Sequence, residues 1–217
     1  FIPDDDDGGK FKAWTLLTAL DNLRGHEAHV GALRPRGDSY ARDFNGLNWL
    51  DQRKSTTAYD GKVPTVLVVG GGQAGLSIAA RLTQLGVDTL IADRHPRIGD
   101  NWRKRYHALT LHNQVQVNHL PYMPFPPNWP LYIPKDKLAN WFEAYAESME
   151  LNFWSGVEFR GGTYNAEAGR WSVELHRADG TVRNLYPKHI VMATGVSDIP
   201  NLPDIPTLAN FQGTVLH

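Results

Sequence analysis

Cysteine is absent from the 217 residues. That excludes disulfides, thiolate nucleophiles, CxxC redox pairs and sulfur-ligated zinc or iron–sulfur centres. It also suits a reducing compartment, and the location is read as cytoplasmic. A charge excess is absent as well: the formal net charge is −1. No overall field therefore draws the chain to nucleic acid or to an acidic membrane. No apolar run approaches the ~20 residues of a membrane-spanning helix. The 9 histidines are scattered, with no HExxH or comparable ligand spacing. The first residue is Phe1, and no charged segment followed by an apolar one is present in the residues given. The start reads as a cut inside a longer protein.

What is present centres on residues 65–93, TVLVVGGGQAGLSIAARLTQLGVDTLIAD. Residues 66–69 form a short apolar, β-branched run, as a buried parallel strand requires. It runs into the pattern Gly70-x-Gly72-x-x-Gly75, which then opens a helical pattern. This is the context of a dinucleotide fingerprint. Gly70 allows the tight turn, Gly72 lets backbone approach a pyrophosphate, and Gly75 lets helix and strand pack closely. The spacing predicts a helix over 73–85, with Leu76, Ala79, Ala80, Leu82 and Leu85 facing the sheet and Gly86 ending it at positive φ. A second strand over 89–92 ends at Asp93, 18 positions after Gly75. The expected spacing to a ribose-binding acid is ~20. An acid there suits a free 2′-hydroxyl and repels a 2′-phosphate, so the site favours FAD or NAD over NADP.

The residues before this unit are less ordered in pattern. Residues 4–7, with Gly8 and Gly9, read as a solvated acidic loop. Residues 10–20 read as one strand without a nearby partner, the end of a preceding domain. Residues 25–38 read as linker. Residues 49–59 read as a short helix capped by Asn48, with Trp49 and Leu50 as its apolar anchor.

After Asp93 comes a long proline- and aromatic-rich insertion, residues 94–130. Loops of that length inside a domain are usually functional. Residues 135–147 then read as an amphipathic helix with Leu138, Trp141, Phe142 and Tyr145 inward. Residues 151–154 read as a third parallel strand. Residues 156–159, 170–176 and 182–185 form an antiparallel meander, with Gly161–Gly162 and a tight Asp179–Gly180 turn between the runs. A last strand over 189–192 leads into Ala193-Thr194-Gly195, at the strand end where open α/β sheets bind ligands. The fold class expected is α/β: a Rossmann-like FAD/NAD(P)-binding domain, a parallel sheet with helices and an antiparallel β-meander crossover.

Over residues 63–217 the chain resembles the class B flavin-dependent monooxygenases, in particular the YUCCA-like, flavin-containing monooxygenase branch. The resemblance rests on VVGGGQAGL (68–76), GDNWRKRY (99–106), LHNQ…LPYMPFP (111–126), VMATG (191–195) and Phe211-x-Gly213-x-x-x-His217. The last looks like the start of the family's FxGxxxHxxxW motif, ahead of its NADPH-binding domain. Residues 1–25 look like the tail of an NTF2/SnoaL-like domain, and 26–62 like a linker with a short helix.

The resemblance implies that Gly70, Gly72, Gln73, Ala74 and Gly75 cradle the FAD pyrophosphate and that Asp93, where the family more often has Glu, holds the ribose. Asn101 and Trp102 match the segment beside the ribityl chain and ring, although GGxW in the family is Gly99-Asp100-Asn101-Trp102 here. His112 and Asn113 match the pair near the flavin ring. Val157 would meet adenine through its backbone, and Ala193 to Gly195 would lie near the dinucleotide.

The implied activity is NADPH- and O2-dependent oxygenation of a small organic substrate through a (hydro)peroxyflavin, with no general acid or base nominated. NADPH would be bound mainly by a downstream domain, so this chain alone is expected not to turn it over. The partners implied are the substrate and O2, without nucleic acid, a metal or a membrane segment. Rival readings are a flavin disulfide reductase, disfavoured by the missing cysteines, a plain NAD dehydrogenase, disfavoured by the meander and insertion, and a non-catalytic FAD-binding module.

Overall fold

A computed structural model describes the chain except for residues 1, 5, 7, 14, 19–21, 36–44, 197–200, 202, 216 and 217. Its centre is β3 (Val66–Val69), buried at all four positions. β4 (Thr89–Asp93), β7 (Asn152–Ser155) and β11 (His189–Met192) join it in a four-stranded sheet of order β11-β3-β4-β7. All three pairings are parallel, and Val68 lies beside both Ile91 and Val191. A strand covered on both faces is apolar at every position, which explains the unbroken VLVV run.

Helix α2 (Gln73–Gln84) crosses from β3 to β4 and buries Gly75, Leu76, Ala79 and Ala80. It ends as the sequence requires. Gly86 has φ +75, its amide donates to the Thr83 carbonyl, and the Val87 amide donates to Leu82. That is a Schellman closure, which satisfies two of the last carbonyls.

The connection from β4 to β7 is not one long loop, as the proline pattern suggested. It holds a single helical turn, α3 (Asp100–Arg103), and two strands, β5 (Thr110–Gln114) and β6 (Tyr132–Pro134), paired antiparallel. β5 and β6 are far apart in the chain and short, so no local period announces them. Helix α4 (Lys135–Ser148) follows, with Leu138, Phe142 and Tyr145 fully buried and Trp141 half-buried, the face expected.

The meander comprises β8 (Val157–Asn165), β9 (Arg170–Arg177) and β10 (Val182–Leu185), antiparallel in the order β10-β9-β8. Gly161 and Gly162 do not separate two runs. They lie inside β8, where the register shifts between Phe159 and Gly161. A glycine pair here marks a bulge rather than a turn.

The two faces of β3 and β4 divide the core. Val66, Val68 and Ile91 pack with Leu76, Leu138 and Phe142 on the helical side. Leu67, Val69, Leu90 and Ala92 pack with Trp154, Val173, Leu175 and Leu185 on the meander side. The result is three layers: helices, parallel sheet, meander.

The N-terminal expectation needs correction. The strand is only β2 (Lys10–Lys12), and it has a partner, β1 (Ile2–Asp4), paired antiparallel. Asp4 is therefore in a strand, and Gly8 (φ +64) and Gly9 (φ +73) close the reversal. Residues 13 and 15–18 carry no strand, and residues 14, 19 and 20 lie outside the described residues.

Helix α1 (Trp49–Ala58) is capped as expected, the Asp51 amide donating to Asn48 Oδ1 at 2.9 Å. Its anchor is not Trp49 or Leu50, which are 44% and 50% exposed. The buried residue is Tyr59, whose hydroxyl donates to Asp88 at 2.5 Å and accepts from Asn152 at 2.9 Å. Arg53 adds bonds to Asn152 and the Leu151 carbonyl, and the Trp154 indole donates to the Thr57 carbonyl. Tyr59 takes a left-handed conformation after the helix (φ +52), which turns its ring back under the sheet. Burial, then the adjacent Asp88, pushes the Tyr59 phenol well above its ordinary pKa.

Candidate functional site

The C-terminal ends of β3, β4 and β11 open onto a cavity of about 640 Å³. Sites for small molecules and cofactors span about 300–1,000 Å³. Each glycine of the fingerprint has a distinct environment. Gly70 has φ +102, and a Cβ there would stand 2.5 Å from the Ala193 carbonyl oxygen. A Cβ on Gly75 would stand 1.9 Å from the Gly70 carbonyl oxygen. Both positions are closed to any side chain by backbone. Gly72 differs: a Cβ there would meet only Asn101 Nδ2, at 3.1 Å. Its missing side chain leaves room in the cavity rather than room for packing. Gly72 is also the N-cap of α2 and offers no capping side chain. Helix-start amides without internal partners are an anion site when an anion is available.

Asp93, at the end of β4, lines the cavity and ties down the glycine turn. Its Oδ2 accepts from the Gly71 amide at 2.6 Å, and its Oδ1 accepts from the His95 amide at 2.8 Å. Each carboxylate oxygen keeps further acceptor capacity beside these bonds. The turn between β7 and β8 comes up against this corner, the Gly156 amide donating to the His95 carbonyl at 2.7 Å. Val157 follows, buried and lining the cavity. On the far side the Ala193 amide continues the β11–β3 ladder to Val69, and Ala193 and Gly195 (φ +77) line the wall.

The remaining wall is the turn containing α3. Asn101 and Trp102 both line the cavity. Trp102 also packs against the helical-side core, and its Nε1 is buried without a hydrogen-bond partner. The turn is held from behind. Gly99 has φ +87, and a Cβ there would stand 2.4 Å from the Ala139 carbonyl oxygen of α4. Arg103 donates to the Ile98 carbonyl at 2.6 Å, to Asn140 at 3.0 Å and to Glu143 at 2.8 Å. Glu143 also takes a two-pronged bond from Arg97, which, ahead of the pull of Arg103, holds its carboxyl below the ordinary value. Lys135, buried, donates from Nζ to the Arg103 carbonyl at 2.8 Å.

Of the thirteen residues expected at the site, Gly70, Gly72, Gln73, Ala74, Asp93, Asn101, Trp102, Val157, Ala193 and Gly195 line one cavity. Gly75 sits behind it, packed on Gly70. His112 and Asn113 are not brought there: they lie exposed on β5. Asn113 is linked to the site only indirectly, through Asn118, whose Nδ2 donates to its carbonyl and whose own carbonyl accepts from Gln73 Nε2. Arg94, His95, Arg105, Glu158 and Phe159 also line the cavity, and no motif in the sequence singled them out. Arg94 and His95 follow Asp93 directly, and a strand-end acid is a signal to inspect its successors. His217 lies outside the described residues. Among the described residues no cluster of His, Asp or Glu is arranged to hold a metal ion. No helix among them is long and apolar enough to cross a membrane.

Residues 68–128 match the family model described as an NAD(P)-binding Rossmann-like domain. The chain is 32% identical over 169 residues to indole-3-pyruvate monooxygenase YUCCA1 of Oryza sativa subsp. japonica, covering 77% of this chain and 41% of that protein. It is 33% identical over 156 residues to the probable indole-3-pyruvate monooxygenase YUCCA4 of Arabidopsis thaliana, covering 71% and 37%. The chain thus spans about two fifths of the length of these relatives. Among solved structures it is similar to a flavin monooxygenase mutant from Stenotrophomonas maltophilia, with TM-score 0.60 and 25% identity, covering 69% of this chain and 43% of that one. A bacillithiol disulfide reductase from Bacillus cereus shares the fold, with TM-score 0.60 at 20% identity over 65% of this chain and 43% of that one.

Proposed function

We propose that this chain, a homologue of the YUCCA-like flavin monooxygenases, is the FAD-holding part of an NADPH- and O2-dependent flavoprotein monooxygenase. The observation that carries the reading is the environment of Gly72. Its neighbours Gly70 and Gly75 are closed by backbone, while Gly72 opens on the cavity at the start of α2. A packing role explains the outer two glycines but not the middle one. Close approach of a diphosphate to the helix-start amides explains it.

The residues present fit FAD. Gly70, Gly72, Gln73, Ala74 and Gly75 form the diphosphate turn. Asp93 stands where a ribose hydroxyl needs an acceptor, and Val157, Ala193 and Gly195 form the adenosine wall. Asn101 and Trp102 bound the other end, towards the ribityl chain and ring. His112 and Asn113 lie off this cavity on β5, and only the family resemblance assigns them near the flavin ring. When bound, FAD supplies the redox and oxygen chemistry. The chain's contribution is to bind it, orient it and limit the access of water.

Asp93 disfavours a 2′-phosphate in this site, so NADPH binds elsewhere in the whole protein, whose relatives are more than twice as long as the matched segment. In this reading residues 63–217 are the FAD unit, 26–62 a linker with a short helix, and 1–25 the tail of a preceding domain. The names of the relatives make indole-3-pyruvate the first substrate to test in the whole protein.

The direct test is a titration of the purified chain with FAD, read by flavin fluorescence, alongside Gly72→Val. The wild type is expected to bind FAD and the variant not to. Equal binding by both would place the phosphate site elsewhere. NADPH is expected to reduce the bound flavin no faster than free FAD, since hydride transfer needs donor and acceptor held in contact.

A further inference from the structure

The diphosphate of a dinucleotide carries one negative charge on each phosphate. The start of α2 offers only about half a positive charge, together with its amides. Asp93 lies in the same cavity and adds a negative charge. A full cation nearby would offset the charge that the helix start leaves, and the structure offers two on the cavity wall, Arg94 and Arg105.

They sit at different ends. Arg94 follows Asp93 and belongs to the corner where the Gly156 amide meets the His95 carbonyl. Arg105 belongs to the Gly72 end. Asn101 Nδ2 lies beside Gly72, and the Asn101 carbonyl accepts from Arg105 Nε at 3.1 Å. That bond fixes the guanidinium against the cavity while using one of its five N–H groups. Among the described residues Arg105 forms no ion pair. The acids lining the cavity are not its partners: Asp93 is turned onto the Gly71 and His95 amides, and Glu158 pairs with Arg160. Nor is Arg105 part of the clamp behind the turn, which is Arg103, Arg97 and Glu143. A guanidinium steadied at Nε, with its forked Nη edge free beside an anion turn, has the geometry for a phosphate oxygen pair.

Resting on the FAD reading above, we infer that Arg105 supplies the counter-charge that fixes the diphosphate of the dinucleotide, opposite the α2 amides. The role is binding and placement of the cofactor.

The test uses the full 217-residue chain as wild type, Arg105→Ala and Arg105→Lys. FAD affinity is read by flavin fluorescence, and ADP and adenosine are titrated as competitors that displace it. Arg105→Ala is expected to weaken FAD and ADP by about tenfold or more, the loss of a hydrogen bond to a charged group, and to leave adenosine within about twofold. Arg105→Lys is expected to retain most of the affinity, because the point charge remains. The deficit of the Ala variant is expected to shrink at high salt. Unchanged FAD and ADP binding in Arg105→Ala would overturn the inference and leave the FAD site standing. Equal weakening of ADP and adenosine would overturn it too, as general damage to the cavity. A wild type that binds none of the three would reject the FAD reading itself, and this inference with it.

Discussion

The glycine turn after β3 and the turn at residues 99–105 meet at Gly72 and Asn101, and each forms part of one cavity wall. The first is held by backbone: a positive φ at Gly70, the Gly75–Gly70 approach, and the Asp93 carboxylate on the Gly71 amide. The second is held by side chains of a helix some forty residues further on: Arg103 on Asn140 and Glu143, and Arg97 on Glu143. A backbone-defined wall has little freedom to adjust, so its variants should fail abruptly. An ion-pair-defined wall should loosen by degrees.

The sharpest way to break this contrast is Gly75→Ala. A Cβ placed 1.9 Å from a backbone oxygen forces β3 and α2 apart. The expected loss is about 3 kcal/mol or more, the upper range for overpacking, measured by urea denaturation. A loss below about 1 kcal/mol would show that the turn can give.

Gly72→Val separates fold from binding on the same wall. With only a side-chain amide near its Cβ, the variant should stay within about 1 kcal/mol of wild-type stability while losing FAD. Parallel loss of stability and binding would contradict the division of labour among the glycines.

On the other wall, Arg103→Ala removes the side-chain bonds from α3 to Asn140 and Glu143 of α4. Stability should fall by about 2 kcal/mol, with FAD binding weakened but not abolished. Stability is read from denaturation and affinity from titration. Complete loss of FAD binding in a folded variant would mean that this wall is as unyielding as the first.

Asp93→Ala touches both roles of that carboxylate. FAD affinity should drop by roughly 1–3 kcal/mol, and stability should drop as well because the Gly71 and His95 amides lose their acceptor. An affinity loss with unchanged melting would assign Asp93 to the ribose alone.

The smallest effect expected is one of pH. Glu143 has its carboxyl held below its ordinary value by Arg97 and then Arg103. A depressed folded pKa means a contribution present above the unfolded value, about 4.3, and lost as pH falls through the folded one. The difference in melting temperature between wild type and Glu143→Gln should therefore be steady near neutrality and shrink below about pH 4. A difference that grows on acidification would mean that Glu143 is not held below its ordinary value.

The ordered part of the sequence reading follows local chemistry. The VLVV run, the glycines, the Schellman glycine after α2 and the Asn48 cap are each decided within a few residues, because they depend on φ, on amide satisfaction or on burial of a whole strand. The strand over 10–20 failed because β propensity says nothing of pairing. The reversal at Gly8 and Gly9 supplied a partner on the N-terminal side and ended the pairing after three residues.

The amino-acid sequence by itself determined the parallel sheet, the helix α2, the meander and the cavity's glycine floor with Asp93 beside it. Only the tertiary structure decided that α1 hangs on Tyr59 rather than Trp49, that β5 pairs with β6, that His112 and Asn113 lie off the cavity, and that Arg105 lies on it. Local steric and hydrogen-bonding rules act between neighbours in the chain. The second group depends on contacts between residues tens of positions apart, and for those no period or spacing in the sequence carries the information.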